Sequence, residues 1–496
     1  MANKRENSID INKKEFRKMG YELIDTISDF FDDISNKPVT TSKTIKELQK
    51  ELGNSSLPVN GRPANELISS TAKLLFENSL FNGHPKFFGF ITSSATPIGA
   101  LADLLASSVN ANVGGQILSP MATEIEKQTI AWLSEFIGVS PTYGGVLVSG
   151  GNMANFTAFL AARTAKAPKS IKEEGLSAGS KMLITYCSKS THTWIDKAAI
   201  LFGHGSNSVR WIPADAENKM NNDILEQTIK DDLKNGHQPF MVVGTAGDVS
   251  TGSVDNLAAI ASICKAHDLW FHIDGAYGVP AAIIPELKTM FSGLQEADSI
   301  ALDPHKWLYS PLEAGCTLVK NPKHLIDTYS SHPEYYNFSL TEDGGSVNFF
   351  EYGLQNSRGF RALKVWLALQ QIGSNGYQKL IKEDIELSEY LYELAEAHAE
   401  LKAMTQNLSI STLRYVPLDF QEVGEKRDDY LNLLNEELLN KIQSGGEMFL
   451  SNAIVQGQYC LRSCIVNFRT TRKDIEESID IIIKEGRKVH QALQSL

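Results

Sequence analysis

Seven short apolar runs punctuate the middle of this chain: Gly145–Val148, Met182–Thr185, Val209–Ile212, Phe240–Gly244, Leu269–Ile273, Ser299–Leu302 and Cys316–Val319. Helical patterns lie between several of them. Runs of this length read as strands buried on both faces. Their alternation with helices predicts an α/β fold, with a mostly parallel seven-stranded sheet covered by helices. Such sheets bind ligands beyond the carboxyl ends of their strands. The polar motifs of this chain follow these runs.

Composition narrows the partners. The chain has 496 residues, 42% hydrophobic and 21% charged, which is ordinary for a soluble globular protein of two or three domains. A net charge of −12 opposes nonspecific nucleic-acid binding and docking on anionic membranes. No apolar stretch follows Met1-Ala2-Asn3-Lys4-Arg5, and no run approaches the ~20 apolar residues of a membrane span. Neither nucleic acid nor membrane is therefore expected as a partner, and no signal peptide is expected. Cys187, Cys264, Cys316, Cys460 and Cys464 are scattered and form no CxxC pair. They read as free thiols in a reducing compartment, with no metal site, and the cytoplasm is the expected location.

The flanks differ from the middle. Phe16, Met19, Leu23, Ile24, Ile27, Phe30, Phe31 and Ile34 recur at helical spacing, predicting an amphipathic helix over 12–35. Its apolar face needs a partner, and a second subunit is one candidate. Residues 36–62 are rich in Pro, Ser, Thr, Asn and Gly and read as an extended arm. A helix from Ala362 to Ile372 is followed by a break at Gly373-Ser374-Asn375-Gly376. A further helix and a smaller α+β region follow, closing with a helix capped by Thr471 and Asp474. The expected division is 1–95 as an N-terminal helical arm, 96–372 as the large domain and 373–496 as the small one.

Four polar motifs carry chemistry. In Asp303-Pro304-His305-Lys306-Trp307, a lysine sits in a turn directly after a buried strand. Such an amine must be paired or neutralised, and when neutral it attacks aldehydes. Lys306 is thus a candidate to form a Schiff base with pyridoxal 5′-phosphate (PLP). In Val148-Ser149-Gly150-Gly151-Asn152, a strand runs through two glycines into a helix, the backbone of a phosphate cradle. The spacing is neither GxGxxG nor GK[ST], so nicotinamide and nucleoside triphosphate are not supported. Asp274 ends an otherwise apolar strand and needs a cation, which a protonated PLP ring nitrogen provides. Ala276, two residues on, would place a small side chain against the ring. His192, in Ser190-Thr191-His192-Thr193-Trp194, stands at a helix start where an imidazole could stack on the opposite face.

This order of motifs resembles the fold-type I PLP-dependent enzymes. Within them it resembles the group II decarboxylases, which include aromatic-amino-acid, histidine and glutamate decarboxylases. The resemblance is carried by Gly144–Gly151, Thr191-His192, His272–Tyr277, Asp303–Trp307 and Arg358–Lys364, together with His84–Phe88 and Ser119–Glu126. It spans residues 12–490. It implies that Lys306 is the cofactor lysine, Asp274 the pyridinium partner and His192 the stacking residue. The amides of Gly151 and Asn152, with His305, would hold the phosphate. A loop tyrosine that protonates the product carbanion would be Tyr335, with Tyr336 next, beside a flexible lid at Thr341–Ser346. Phe90 and Thr92 would wall the substrate pocket, Ser357 would help select the substrate, and Arg358 would approach its carboxylate.

The implied activity is decarboxylation of an L-amino acid, most simply an aromatic one, to its amine by a homodimer with active sites at the interface. Acidic or diamino substrates, and oxidative decarboxylation–deamination to an aldehyde, remain alternatives. The chain departs from the animal aromatic-amino-acid decarboxylases at Asn82, Gly89 and Gly115, and has Asp248 where many members support the aspartate with a threonine.

Overall fold

A computed structural model of the chain describes residues 9–179, 181–331, 346–420 and 424–495. All seven expected strands form, within two or three residues of their expected ends. They are β1 (Gly144–Val148), β2 (Leu183–Ser188), β3 (Val209–Ile212), β4 (Gln238–Thr245), β5 (Trp270–Asp274), β6 (Ser299–Leu302) and β7 (Gly315–Val319). They make one sheet in the order β1-β7-β6-β5-β4-β2-β3. The neighbours from β3 through β6 are parallel, whereas β7 runs antiparallel to both β6 and β1. Every residue of β2, β5, β6 and β7 is buried. That is why these strands are continuous apolar runs without alternation.

Register then builds the site. Thr245 of β4 pairs with Asp274 of β5, which pairs with Ala301 of β6, so three carboxyl ends lie side by side. The helix Gly151–Lys166 crosses β7, β6, β5 and β4. Its buried stretch, Ala154–Ala162, contains four alanines that let it lie close to the sheet.

The C-terminal part is a second layer. Strands β8 (Leu401–Asn407), β9 (Ile410–Tyr415), β10 (Ser451–Val455) and β11 (Gln458–Cys464) form an antiparallel sheet in the order β10-β11-β9-β8. The helices Glu425–Gly445 and Arg472–Gln494 pack on it, the second opened by the expected Thr471–Asp474 capping box. The helical stretch Ala362–Ala397 packs on β8 and β9 of this sheet and on the helices Pro97–Val109 and Pro120–Phe136 that precede β1. The expected break reduces to a kink at Gly373, where φ is +68° and the chain turns and resumes its helix at once.

The N-terminal helix is Lys13–Asp33, capped by Asn12. Phe30 stacks on Phe76 of the helix Ala64–Asn78 with centroids 4.2 Å apart, while Phe16 and Tyr21 remain exposed. The extended arm needs correction. It contains the helix Ile45–Leu52, opened by a capping box between Thr44 and Glu47. That Thr-x-x-Glu signal was present in the sequence, but the surrounding loop formers obscured it.

Candidate active site

The turn after β6 is braced on several sides. Lys306 Nζ lies 3.1 Å from Asp303 Oδ2, so the ammonium has an acid partner. Trp307 is wholly buried and stacks on Tyr277 with centroids 4.9 Å apart and planes 13° apart. Its indole N–H donates to Asp384 Oδ2 at 2.9 Å, and the Tyr309 hydroxyl donates to the same oxygen at 2.6 Å. The Tyr377 hydroxyl donates to the Leu308 carbonyl at 3.0 Å. Lys306 therefore projects from a rigid base, with its own side chain part-exposed.

Opposite, Asp274 closes β5. Its Oδ2 accepts the Trp194 indole N–H at 2.7 Å and its Oδ1 accepts the Ala276 amide at 3.3 Å. His192 Nδ1 accepts the Trp194 backbone N–H at 3.3 Å, so the neutral ring carries its proton on Nε2. Burial lowers the His192 pKa below the ordinary imidazole value, which keeps it neutral near pH 7.

The glycine turn completes the cavity. Gly150 has φ of +114°, a conformation open to glycine and strained for other residues. The backbone of Gly150 lies so close to β7 that a Cβ on Gly315 would fall 2.6 Å from it. The helix beginning at Gly151 leaves its first amides without intrahelical acceptors. His305 Nδ1 lies 2.7 Å from the Ala314 carbonyl, and burial lowers the pKa of this ring too. Lys306, Asp274, His192, Gly151, Asn152, Ala276 and His305 all line one cavity of about 360 Å³. Ile91, Val249 and Leu312 supply apolar wall.

PLP brings a phosphate, a ring nitrogen and an aldehyde, and each has a match here. The glycine turn and helix amides suit an anion. Asp274 suits a protonated nitrogen, and Lys306 is the amine. Asp303 Oδ1 is buried with no partner among the described residues, a polar atom left open at the same place.

A family model described as the pyridoxal-dependent decarboxylase conserved domain matches residues 47–412. The chain belongs to that family. It is 33% identical over 478 residues to an aromatic-L-amino-acid decarboxylase of Bacillus atrophaeus, covering 96% of each chain. It is 28% identical to tyrosine decarboxylase 4 of Petroselinum crispum, covering 92% of this chain and 90% of that one. In fold it matches the Oryza sativa TDC solved with PLP and tryptamine, with a TM-score of 0.89, 24% identity and coverage of 97% and 99%. This protein is a PLP-dependent amino acid decarboxylase with the fold-type I architecture.

Several expected site residues of this decarboxylase stand elsewhere. Arg358 is engaged with other residues of the fold. Its guanidinium is buried against Glu126 and also donates to the carbonyls of Val113 and Leu147, both at 2.6 Å. Glu126 Oε1 in turn accepts the Leu147 amide at 3.0 Å. These bonds tie β1 to the segment before the long helix and leave Arg358 outside the cavity. Ser357 is exposed and does not line the cavity either. Phe90 is 54% exposed and packs on Phe449 at 5.9 Å, while Thr92 is half-buried; Ile91 between them is the residue that reaches the cavity. A side chain at Gly89 would run into the Phe449 ring, which accounts for that departure.

Asp248 does not support Asp274. Its carboxylate accepts the amides of Ser250 at 3.1 Å and Thr251 at 2.7 Å, closing its own turn. The threonine beside Asp274 is Thr245, whose hydroxyl pairs with Thr191 at 3.0 Å. Tyr335, Tyr336 and residues 341–345 lie outside the described residues. Among the described residues no group of three potential ligands could hold a metal ion.

Sequence reasoning also overlooked Trp194, Thr245 and Arg462. Arg462 of β11 is buried and donates to the Phe90 carbonyl at 3.0 Å and Ser451 Oγ at 2.9 Å. Its Nε and Nη2 have no partner among the described residues. The overlooked signal was general: a buried indole or guanidinium must find acceptors.

Proposed function

We propose that this decarboxylase converts an aromatic L-amino acid to its amine and CO2, acting as a cytoplasmic homodimer. The observation that carries the reading is the meeting of Lys306, Asp274, His192 and the glycine turn in one cavity, beside the apolar side chains of Ile91, Val249 and Leu312. Bound PLP supplies the electron sink that receives the bonding pair as CO2 leaves. Asp274 would pair with the ring nitrogen and favour its protonated form. His192 would stack on the ring and offer its Nε2–H, and the small side chain of Ala276 would leave room for the ring. Gly151, Asn152 and His305 receive the phosphate. Lys306 would be the amine that holds the cofactor, and Asp303, whose Oδ2 lies 3.1 Å from Lys306 Nζ, would pair with that ammonium when it is free. Tyr335, or its neighbour Tyr336, would return a proton to the α-carbon.

Substrate class follows from the walls. Among the described residues no arginine lines the cavity, while Ile91, Val249, Leu312 and Tyr277 do. That disfavours an acidic side chain and suits an aromatic one. The activity named for the Bacillus atrophaeus relative supports the same reading. The cytoplasm is supported by five free cysteines, all buried. Among the described residues no helix is long and apolar enough to cross a membrane.

Purified protein given PLP should absorb in the visible, and Lys306→Ala should abolish amine formation. Screening Trp, Tyr, DOPA, Phe, His, Glu and diaminobutyrate for CO2 release identifies the substrate. Release from glutamate or diaminobutyrate alone would overturn the aromatic assignment. Hydrogen peroxide with aldehyde in place of amine would select the oxidative reaction instead.

A further inference from the structure

Trp194 opens the helix Trp194–Leu201, and its side chain is wholly buried. An indole N–H can only donate, so a buried tryptophan demands an acceptor. Here the acceptor is Asp274 Oδ2 at 2.7 Å, within the range of a strong charge-assisted bond. The other oxygen, Oδ1, receives only the Ala276 amide at 3.3 Å. The carboxylate is therefore held asymmetrically, one oxygen saturated from behind and the other left with capacity for a donor in the cavity. Behind the indole stands His272, edge-on at 5.8 Å and 83°. That ring is fixed in turn by Asn155 Oδ1 at 2.7 Å and Ser299 Oγ at 2.8 Å. Burial holds His272 down at about 4, so the layer behind Asp274 carries no competing cation near pH 7.

We propose that Trp194 is a positioning residue whose indole N–H orients the Asp274 carboxylate, so that Oδ1 is the oxygen presented to the cofactor's ring nitrogen. This rests on the reading above that Asp274 is the pyridinium partner. Nothing in the side chain touches the cavity itself, so Trp194 acts only through Asp274. The effect must then depend on the ring nitrogen, which separates it from a packing role.

The test titrates the full-length chain, freed of cofactor, with PLP and with its deaza analogue, in which C–H replaces the ring nitrogen. In Trp194→Phe the PLP dissociation constant should rise about ten- to a hundredfold, the usual worth of a hydrogen bond to a charged group. The deaza analogue should weaken by less than about threefold, since its ring makes no such bond. Equal weakening of both ligands would make Trp194 a packing residue and overturn the proposal, as would unchanged PLP affinity. If Trp194→Phe does not fold, benzothienylalanine at this position removes the N–H while keeping the bicyclic shape, and the same two titrations decide. The parent protein and Asp274→Asn run alongside. A parent that binds both ligands equally would sink the Asp274 reading itself. A parent that prefers PLP, with that preference intact in the Trp194 variants, would sink the Trp194 proposal alone.

Discussion

Arg358 carries a buried charge paired with a single carboxylate. An arginine in Arg358-Gly359-Phe360-Arg361 looked available to a substrate, yet its guanidinium is enclosed with Glu126, which is itself wholly buried. Removing one partner of a buried pair strands the other charge, at a cost of about 3–5 kcal/mol. Arg358→Met should therefore lower the unfolding free energy by that amount, seen as a lower denaturant midpoint, and adding Glu126→Gln should restore part of it. KM should move little in whatever folded enzyme remains. A large KM increase at unchanged stability would return Arg358 to the substrate. At Gly150, with φ of +114° and ψ of 176°, alanine would add about 1–3 kcal/mol of backbone strain. PLP affinity should drop with it, as read by titration.

Among the elements, the long helix Ala362–Ala397 governs the lysine turn. It carries Tyr377 and Asp384, which bond Leu308, Trp307 and Tyr309. Burial pushes the Asp384 carboxyl up to about 7 from its ordinary 3.8, although the bonds from Tyr309 and Trp307 pull the other way. The folded protein thus keeps a proton that the unfolded chain gives up above pH 4. This stabilisation is complete below that point and is lost as pH rises through 7. Asp384→Asn keeps an acceptor for both donors and removes the titration. Its stability relative to the parent should rise between pH 5 and pH 8, by on the order of a few kcal/mol, measured by urea unfolding at each pH. A pH-independent difference would show that Asp384 is ionised in the folded state. The elements themselves were legible because each strand is a continuous apolar run. The helix Ile45–Leu52 was not, because a short amphipathic helix with no buried residue leaves little periodic signal.

Over the whole molecule, apolar side chains remain on one stretch of the surface. On the helix Pro97–Val109, Leu101, Leu104, Leu105 and Val109 are exposed, and Ile117, Leu118 and Met121 follow close behind. Phe16 and Tyr21 add a further exposed pair on the N-terminal helix. Exposed apolar surface of this extent marks an interaction face, and the proposed homodimer supplies its partner. Leu104→Asp combined with Leu105→Asp should shift size-exclusion elution to the monomer and reduce activity at least tenfold if the active sites need the interface, the cost of burying two charges across it. Full activity in a monomer would refute the shared-site homodimer.

What the amino-acid sequence determined by itself is the chemistry-bearing set: a lysine after β6, an acid at the end of β5, a histidine after β2 and glycines after β1. Strand ends are local features, and in a parallel sheet they converge on one edge whatever the details of packing. Tertiary structure alone decided which polar groups answer one another across the chain. Trp194 reaches Asp274 over 80 positions, Arg358 reaches Glu126 over 232, and Trp307 reaches Asp384 over 77. Such pairings depend on the desolvation of each buried charge and on the one neighbour close enough to relieve it, and neither is written in local spacing.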